Sequence, residues 1–285
     1  MSSSKITGII HTRNESAYIA QAIGSLVGFV DEVLVADMAS TDDTVEIARS
    51  LGARVIQVPE YGFADPARQL AVDSATYEWI FLLDADEVAT PALGTRIKQL
   101  AAAEVVDVVS IPRLNYMFGK AIRHSGWSPD DDRQLRFFRR SAMVLTGSIH
   151  NFFNVAPGSH IEMLEAEDAL SIHHFNYTDW SNFVSKMDRY TSIEAEQLLD
   201  RGERPGLAWL VRGSAREFLR RLVWKRGYRD GFEGFALTWL MMTYKLLVFA
   251  KAKQLRDKGD AATIRSSYAS VAGSIAAGDV THVRD

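Results

Sequence analysis

The stretch Trp79-Ile80-Phe81-Leu82-Leu83-Asp84-Ala85-Asp86-Glu87 decides the architecture. Five large apolar residues in a row, with no polar alternation, describe a strand buried on both faces, the kind found inside a parallel sheet covered by helices. The run then ends in three carboxylates with one alanine among them. In open α/β sheets ligands collect beyond the carboxyl ends of the strands, so the stretch that anchors a core also aims negative charge at a crevice.

Outward from it, strand-like and helix-like patterns alternate through the first hundred residues. Ile6 to Ile10 reads as a first strand, Asp31 to Asp37 as a second and Arg54 to Val58 as a third. Ser40, Thr41 and Asp42 offer capping side chains ahead of the periodic run Val45, Ile47, Ala48, Leu51, and Gly52 supplies the stop. Residues Thr41 to Thr44 read as caps and nothing more. A further helix covers Pro66 to Ser74. From about Val105 to Val155 short β-prone runs broken by Gly, Pro and Asn extend the sheet. After Thr178 the pattern is helical, with amphipathic segments near 179 to 200, 206 to 225 and 231 to 256. The expected organisation is residues 1–178 as one domain, halved at 104/105 into a ligand-binding side and an acceptor side, and residues 179–285 as a helical region.

The totals bound the chemistry. A chain of 285 residues, 47% hydrophobic and 24% charged, is long enough to bury a substantial core. A net charge of -4 gives no global attraction to nucleic acid. With no cysteine, thiol nucleophiles, disulfides and cysteine metal sites are excluded, and a cytoplasmic location is the default expectation. Neither a G-x-G-x-x-G nor a Walker-type phosphate loop occurs, which disfavours dehydrogenases and P-loop enzymes.

Carboxylates spaced as Asp84-x-Asp86 can hold a hard divalent cation, Mg²⁺ or Mn²⁺, which commonly bridges to phosphate oxygens. His11-Thr-Arg-Asn-Glu15 after the first strand and Asp37-Met-Ala-Ser-Thr-Asp-Asp-Thr44 after the second put polar groups on the same sheet edge. Together, "TRNE", "VADMASTDDT" and "LLDADE" resemble the three nucleotide-sugar signatures of family 2 glycosyltransferases with the GT-A fold. The resemblance spans roughly the first ninety residues, in order. It implies an α/β, GT-A type, mostly parallel sheet flanked by helices, with a Rossmann-like nucleotide-binding half and a C-terminal helical extension. It implies an inverting, metal-dependent transfer from a nucleoside diphosphate sugar, with UDP as the expected nucleotide, to a glycan or glycolipid acceptor.

Carried over position by position, Thr12, Arg13, Asn14 and Glu15 would flank the base or ribose, and Asp37 would contact the base. Arg68, in "DPARQLA", would lie near the diphosphate, with Gln69 where the family carries asparagine. Asp84 and Ala85 would border the ribose or sugar, and Asp86, with Asp84, would bind the metal. The middle segment, with Trp127-Ser-Pro-Asp130, Arg136-Phe-Phe-Arg-Arg140 and His150-Asn151, is similar to a subgroup that adds a sugar to lipopolysaccharide inner core. Members carry His-Glu at the last element, and asparagine cannot serve as a base. Candidate bases are Asp130, Asp131, Asp132 and His150, and His173 of the His173-His174 pair is the expected third metal ligand. A sugar nucleotidyltransferase and a non-catalytic sugar-nucleotide-binding protein remain the alternatives.

Between Arg212 and Arg229 seven basic residues stand against one acidic, with Arg212, Arg216 and Arg220 spaced for one helical face, as are Arg221, Lys225 and Arg229. The apolar run Phe235 to Ala250 falls short of the roughly 20 residues that span a bilayer. Basic face and apolar helix together suit an anionic membrane surface, inner leaflet included. No nucleic-acid reading pattern accompanies the arginines.

Overall fold

The computed structural model describes residues 4–59, 65–145 and 153–277. Two compact units form, Met1–Thr178 and Asp179–Asp285.

The first unit opens with β1 (Ile6–Thr12), α1 (Ile19–Leu26), β2 (Glu32–Asp37), α2 (Thr44–Ser50), β3 (Arg54–Gln57), α3 (Asp65–Ser74) and β4 (Trp79–Asp84). Apart from α1, these are the strands and helices expected from the sequence, with ends shifted by a residue or two. Gly52, at φ +81°, ends α2: its own N–H bonds the Arg49 carbonyl and that of Ala53 bonds the Ala48 carbonyl. After β4 come β5 (Glu87–Ala89), α4 (Pro91–Ala103), β6 (Val108–Met117), β7 (Lys120–Ala121), β8 (Arg133–Arg139), β9 (Met143–Leu145), β10 (Phe153–Val155), β11 (Ile161–Met163) and β12 (Ile172–Tyr177).

The main sheet runs β3-β2-β1-β4-β8-β6-β12-β5, with β7 and β11 also on β6. Its first four strands are parallel. Beyond β4 the sheet is mixed: β8 pairs antiparallel with β4 and β6, and β12 pairs parallel with β6 and antiparallel with β5. The mostly parallel expectation therefore holds for the first half alone, because the middle segment folds back on itself.

Strand alternation sorts the core into two layers. Ile6, Ile10, Phe81 and Leu83 point to one face, with α1 and α4, while Ile9, Leu34, Ile80 and Leu82 point to the other, with Ala71 and Val72 of α3 and Ala75 just after it. On the first face Phe29 meets Phe81 edge-on at 5.1 Å and Trp79 stacks on Phe137 at 4.6 Å. His11 and Asp84, two residues beyond Ile9 and Leu82, share the α3 face and are register partners at the carboxyl end of β1 and β4.

The second unit consists of α5 (Trp180–Asp200), α6 (Leu207–Phe218), α7 (Phe232–Lys258) and α8 (Ala261–Ala276). Helix α6 continues as a π-helical stretch over Leu219–Trp224, followed by a 3₁₀ turn over Gly227–Asp230. That change of pitch breaks the uniform basic face expected from four-residue spacing. Arg221 is buried, and both Arg220 and Arg221 bond Glu217 Oε2. Among the described residues α7 is the one helix long and apolar enough to cross a membrane by length and composition.

Two glycines test the packing. A Cβ built on Gly94 of α4 would stand 2.5 Å from the Phe29 ring, whereas one on Gly24 of α1 meets nothing within 4 Å. Gly94→Ala is expected to destabilise by about 1–3 kcal/mol and Gly24→Ala to stabilise by about 0.5–1 kcal/mol, both read from urea unfolding.

Candidate active site

Two loops close the carboxyl edge of the parallel strands, and they are tied to each other. Asn14, at φ +54°, receives the Thr41 N–H on its Oδ1 (2.7 Å) and gives its own N–H to the Ser40 hydroxyl (2.8 Å). The Glu15 N–H goes to the Thr44 hydroxyl (2.9 Å), and the Ser16 N–H to Asp42 Oδ2 (3.1 Å). Residues 40 to 44 thus do more than cap α2: they lace the β1 and β2 loops together. Asp37, 1% exposed, receives the Ser40 N–H and hydroxyl and so shapes its own loop. Arg13 and Asn14 are exposed, Glu15 is half-buried, and Thr12 is buried with its hydroxyl unpartnered among the described residues.

Beneath the carboxylates lies a chain of alternating charges. Arg68 of α3 donates to Asp84 Oδ1 (3.1 Å), and Arg136 of β8 donates to Asp84 Oδ2 (2.5 Å) and to Glu87 Oε1 (3.0 Å). Arg113 of β6 donates to the same Glu87 oxygen (3.0 Å) and forks onto Asp132 through Nε (2.9 Å) and Nη2 (3.1 Å). Glu87 is fully buried and Arg136 is 2% exposed. Three guanidinia against three carboxylates leave no net charge, the condition under which buried ions are tolerated.

Burial pushes the Asp84 carboxyl up, but the Arg136 and Arg68 guanidinia outweigh it and hold the group well below the usual carboxylate range. Asp84 is therefore a fixed anion whose oxygens face arginines. Asp132 behaves alike: burial opposes ionisation, while Arg113, Asn115 and Gln134 lower its pKa. A carboxylate so occupied is a poor proton acceptor. Asp130 is largely in water and bonds Arg133 (3.1 Å). Asp131 is half-buried and receives the Ser128 hydroxyl (2.7 Å). His150 lies outside the described residues, as does Asn151.

The two histidines of β12 have different partners. His173 Nε2 meets the Asp168 carbonyl (3.0 Å), so that nitrogen carries the proton, and Nδ1 then receives the Tyr116 hydroxyl (3.0 Å). No lone pair is left for a metal. His174, on the opposite face of β12, points its Nε2 to within 3.4 Å of Asp86 Oδ2. Its Nδ1 meets Asn115 Oδ1 (2.8 Å), and the Asn115 amide is oriented by donating to Asp132 (2.7 Å). Nδ1 thus holds a proton, and Nε2 faces a carboxylate.

The two atoms can be joined by a proton on Nε2, which makes them an ion pair, or by a divalent cation between them. Donors each about 2.1 Å from one small ion stand no more than about 4.2 Å apart, and 3.4 Å falls within that limit. Asp86 and His174 therefore fit a divalent cation, with the remaining positions left to ligand oxygens and water. Among the described residues no group of three His, Asp or Glu side chains gathers around one point.

Ala85 is buried, and its N–H bonds the His11 carbonyl (3.1 Å), while the Asp86 carbonyl receives the Phe175 N–H (2.9 Å). The motif is thereby pinned between β1 and β12. Beside it, Tyr18, Phe175 and Tyr116 stack in succession at 6.4 and 4.9 Å. Sequence reasoning did not single out Arg113 or Asn115, and it quoted His11, Glu87, Arg136 and His174 within their motifs without assigning them a role. The available signals were a charged residue inside the apolar strand run "QLRFFRR", and strand alternation, which places His174 on the face of buried Ile172.

His11 has both ring nitrogens buried without a partner among the described residues. Burial, aided by Arg68, lowers its pKa from 6.5 to about 3. As pH falls below 6.5 the unfolded chain takes up a proton that the folded chain refuses until about pH 3, so stability drops across that window. His11→Met is expected to flatten this limb of a stability-against-pH profile. Arg136→Met, which leaves one buried negative charge uncompensated between Asp84 and Glu87, is expected to cost about 3–5 kcal/mol in urea unfolding at pH 7, with much of it restored by adding Glu87→Gln.

The chain is similar to known proteins over most of its length. The sequence profile described as "Glycosyl transferase family 2" matches residues 7–157. An uncharacterized glycosyltransferase of Rickettsia felis is 28% identical over 261 residues, 88% of this chain and 90% of that protein. The lipopolysaccharide core biosynthesis glycosyltransferase LpsC of Rhizobium meliloti is 27% identical over 261 residues, 87% of this chain and 92% of that protein. Among solved structures, S. aureus TarS 1-349 in complex with UDP aligns over 90% of this chain and 92% of its own, at 16% identity and a TM-score of 0.47. Glucosyl-3-phosphoglycerate synthase from Mycobacterium tuberculosis, in complex with Mn²⁺, UDP and glucosyl-3-phosphoglycerate, aligns over 71% and 81%, at 19% identity and a TM-score of 0.46.

Proposed function

Because the chain belongs to glycosyl transferase family 2, we propose that it transfers a sugar from a UDP-sugar donor, with inversion, to a glycan or lipid-linked acceptor in cell-surface glycan synthesis. The acceptor class is supported by the 27% identity to LpsC. The observation that carries the site reading is the Asp86–His174 pair, two lone-pair donors 3.4 Å apart, beside an Asp84 kept ionised by two arginines.

In this reading Thr12, Arg13, Asn14, Glu15 and Asp37 flank the nucleotide, on loops already laced together before it arrives. Such preorganisation lowers the ordering cost of binding. Asp84, with its charge fixed, accepts from hydroxyls of the donor, and Arg68 lies toward the diphosphate. Asp86 and His174 hold Mg²⁺ or Mn²⁺. The cation, when bound, neutralises charge developing on the leaving diphosphate. The base for the acceptor hydroxyl comes from Asp130, Asp131, Asp132 and His150, and Asp131, half-buried beside Ser128, is the member chosen for test. The stacked rings of Tyr18, Phe175 and Tyr116 offer an apolar wall on which a sugar ring can lie. An anionic membrane surface met by the C-terminal helices suits a lipid-linked acceptor.

The test is a donor-panel turnover assay with Mn²⁺ or Mg²⁺, scored by NMR for anomeric configuration. A retained configuration, or turnover unchanged by chelator, sinks the corresponding part of the reading. Asp86→Ala and His174→Ala are each expected to lose at least about 10²-fold in activity and to abolish the Mn²⁺-dependent rise in melting temperature with UDP, while His173→Ala keeps that rise. Asp131→Asn is expected to lower kcat by about 10²- to 10⁴-fold with UDP binding unchanged.

A further inference from the structure

Within the second unit, α6 and α7 border a cleft of about 380 Å³ lined by Trp209, Arg212, Gly213, Arg216 and Lys245. Three of these five residues are cations. Arg212 and Arg216 lie one turn apart on α6, so their side chains stack on one face. Both are exposed, and no hydrogen bond or ion pair among the described residues engages either guanidinium. This sets them apart from Arg220 and Arg221 of the same basic run, which share Glu217.

Lys245 enters from α7. Its Nζ lies 5.7 Å from the Trp209 ring centroid and donates to Glu194 Oε1 (3.1 Å), whose other oxygen receives the Tyr244 hydroxyl (2.6 Å). Three cations against one carboxylate leave the cleft with a surplus of two positive charges. Gly213 keeps the space open between the α6 arginines and Lys245: a Cβ there would stand 3.9 Å from Lys245 Cγ. An uncompensated pair of guanidinium forks beside an ammonium, with a flat aromatic wall and room between them, matches the oxygens and charge of a phosphate.

We propose that this cleft is a phosphate-binding site, taking a phosphate mono- or diester distinct from the nucleotide of the donor. The inference goes beyond the sugar-transfer reading and stands independently of it, since every residue belongs to the second unit. The phosphate has two possible sources: a soluble phosphorylated ligand or a phospholipid headgroup. The same helix pair also borders an apolar groove of about 470 Å³ that includes Leu210, Val211, Trp239 and Leu246, where an acyl chain could lie.

The experiment uses the full chain and reads binding, not turnover. Inorganic phosphate is titrated by calorimetry, and flotation is measured with phosphatidylcholine vesicles with and without phosphatidylglycerol. Arg212→Gln/Arg216→Gln is expected to weaken binding roughly tenfold or more, through loss of two charge-assisted contacts. Arg226→Gln/Arg229→Gln, which removes the same charge outside the cleft, is expected to bind as the parent does. Gly213→Leu keeps every charge but fills the cleft, and is expected to weaken binding as the arginine pair does. Loss confined to phosphate titration identifies a soluble ligand, and loss confined to phosphatidylglycerol vesicles identifies a headgroup. The proposal is overturned if the parent binds neither probe, if both arginine pairs weaken binding equally, or if Gly213→Leu binds undiminished.

Discussion

The chain of alternating charge from Arg68 through Asp84, Arg136, Glu87 and Arg113 to Asp132 is the constraint on which the first unit depends. Its members come from α3, β4, β5, β6, β8 and the approach to β8, and its middle, Glu87 and Arg136, is shut away from water. Isolated ions there would cost several kcal/mol each, so each group is acceptable only with its neighbours in place. The strands that carry them must therefore hold their register together. The fold-back of β8 between β4 and β6, which breaks the parallel run of the sheet, delivers Arg136 between the two acids.

That arrangement divides the work of the carboxylates. Asp84 and Glu87 are spent on arginines, and one is thereby held ionised at the edge of the crevice. Asp86, between them in sequence, points elsewhere and meets His174. The same network reaches the imidazole from behind: Asp132 orients the Asn115 amide, and Asn115 fixes the His174 tautomer. A ligand nitrogen whose other nitrogen is already committed needs no rearrangement to accept a cation. The charge chain thus acts both as a structural element and as the outer support of the site.

In the second unit electrostatics depends on helix geometry in a different way. The basic run reads as one face while every residue advances by an α-helical step, but the π stretch at Leu219–Trp224 adds a residue to the turn and rotates the residues beyond it. Arg221, one turn beyond Glu217, pairs with it, while Arg212 and Arg216 on the α-helical side keep their charge uncompensated among the described residues.

Much of this was legible in the chain. The unbroken apolar run of Trp79–Leu83, the capped and glycine-stopped helix before β3, and the polar clusters after three strands are local signals. They fixed the α/β class and the sheet edge because burial and strand direction derive from short-range pattern. The motif around Asp84 and Asp86 pointed to the donor end of a family 2 site. Which carboxylate does what was not local. Asp84 and Asp86 look interchangeable until Arg68 and Arg136 arrive from 16 and 52 residues away, and His173 and His174 until Tyr116 and Asn115 claim opposite faces of β12. Sequence determined where charge would gather, because apolar periodicity sets the strands. Only tertiary structure decided how each charge is used, because a carboxylate or imidazole is defined by the partners that fill its lone pairs, and those come from other strands.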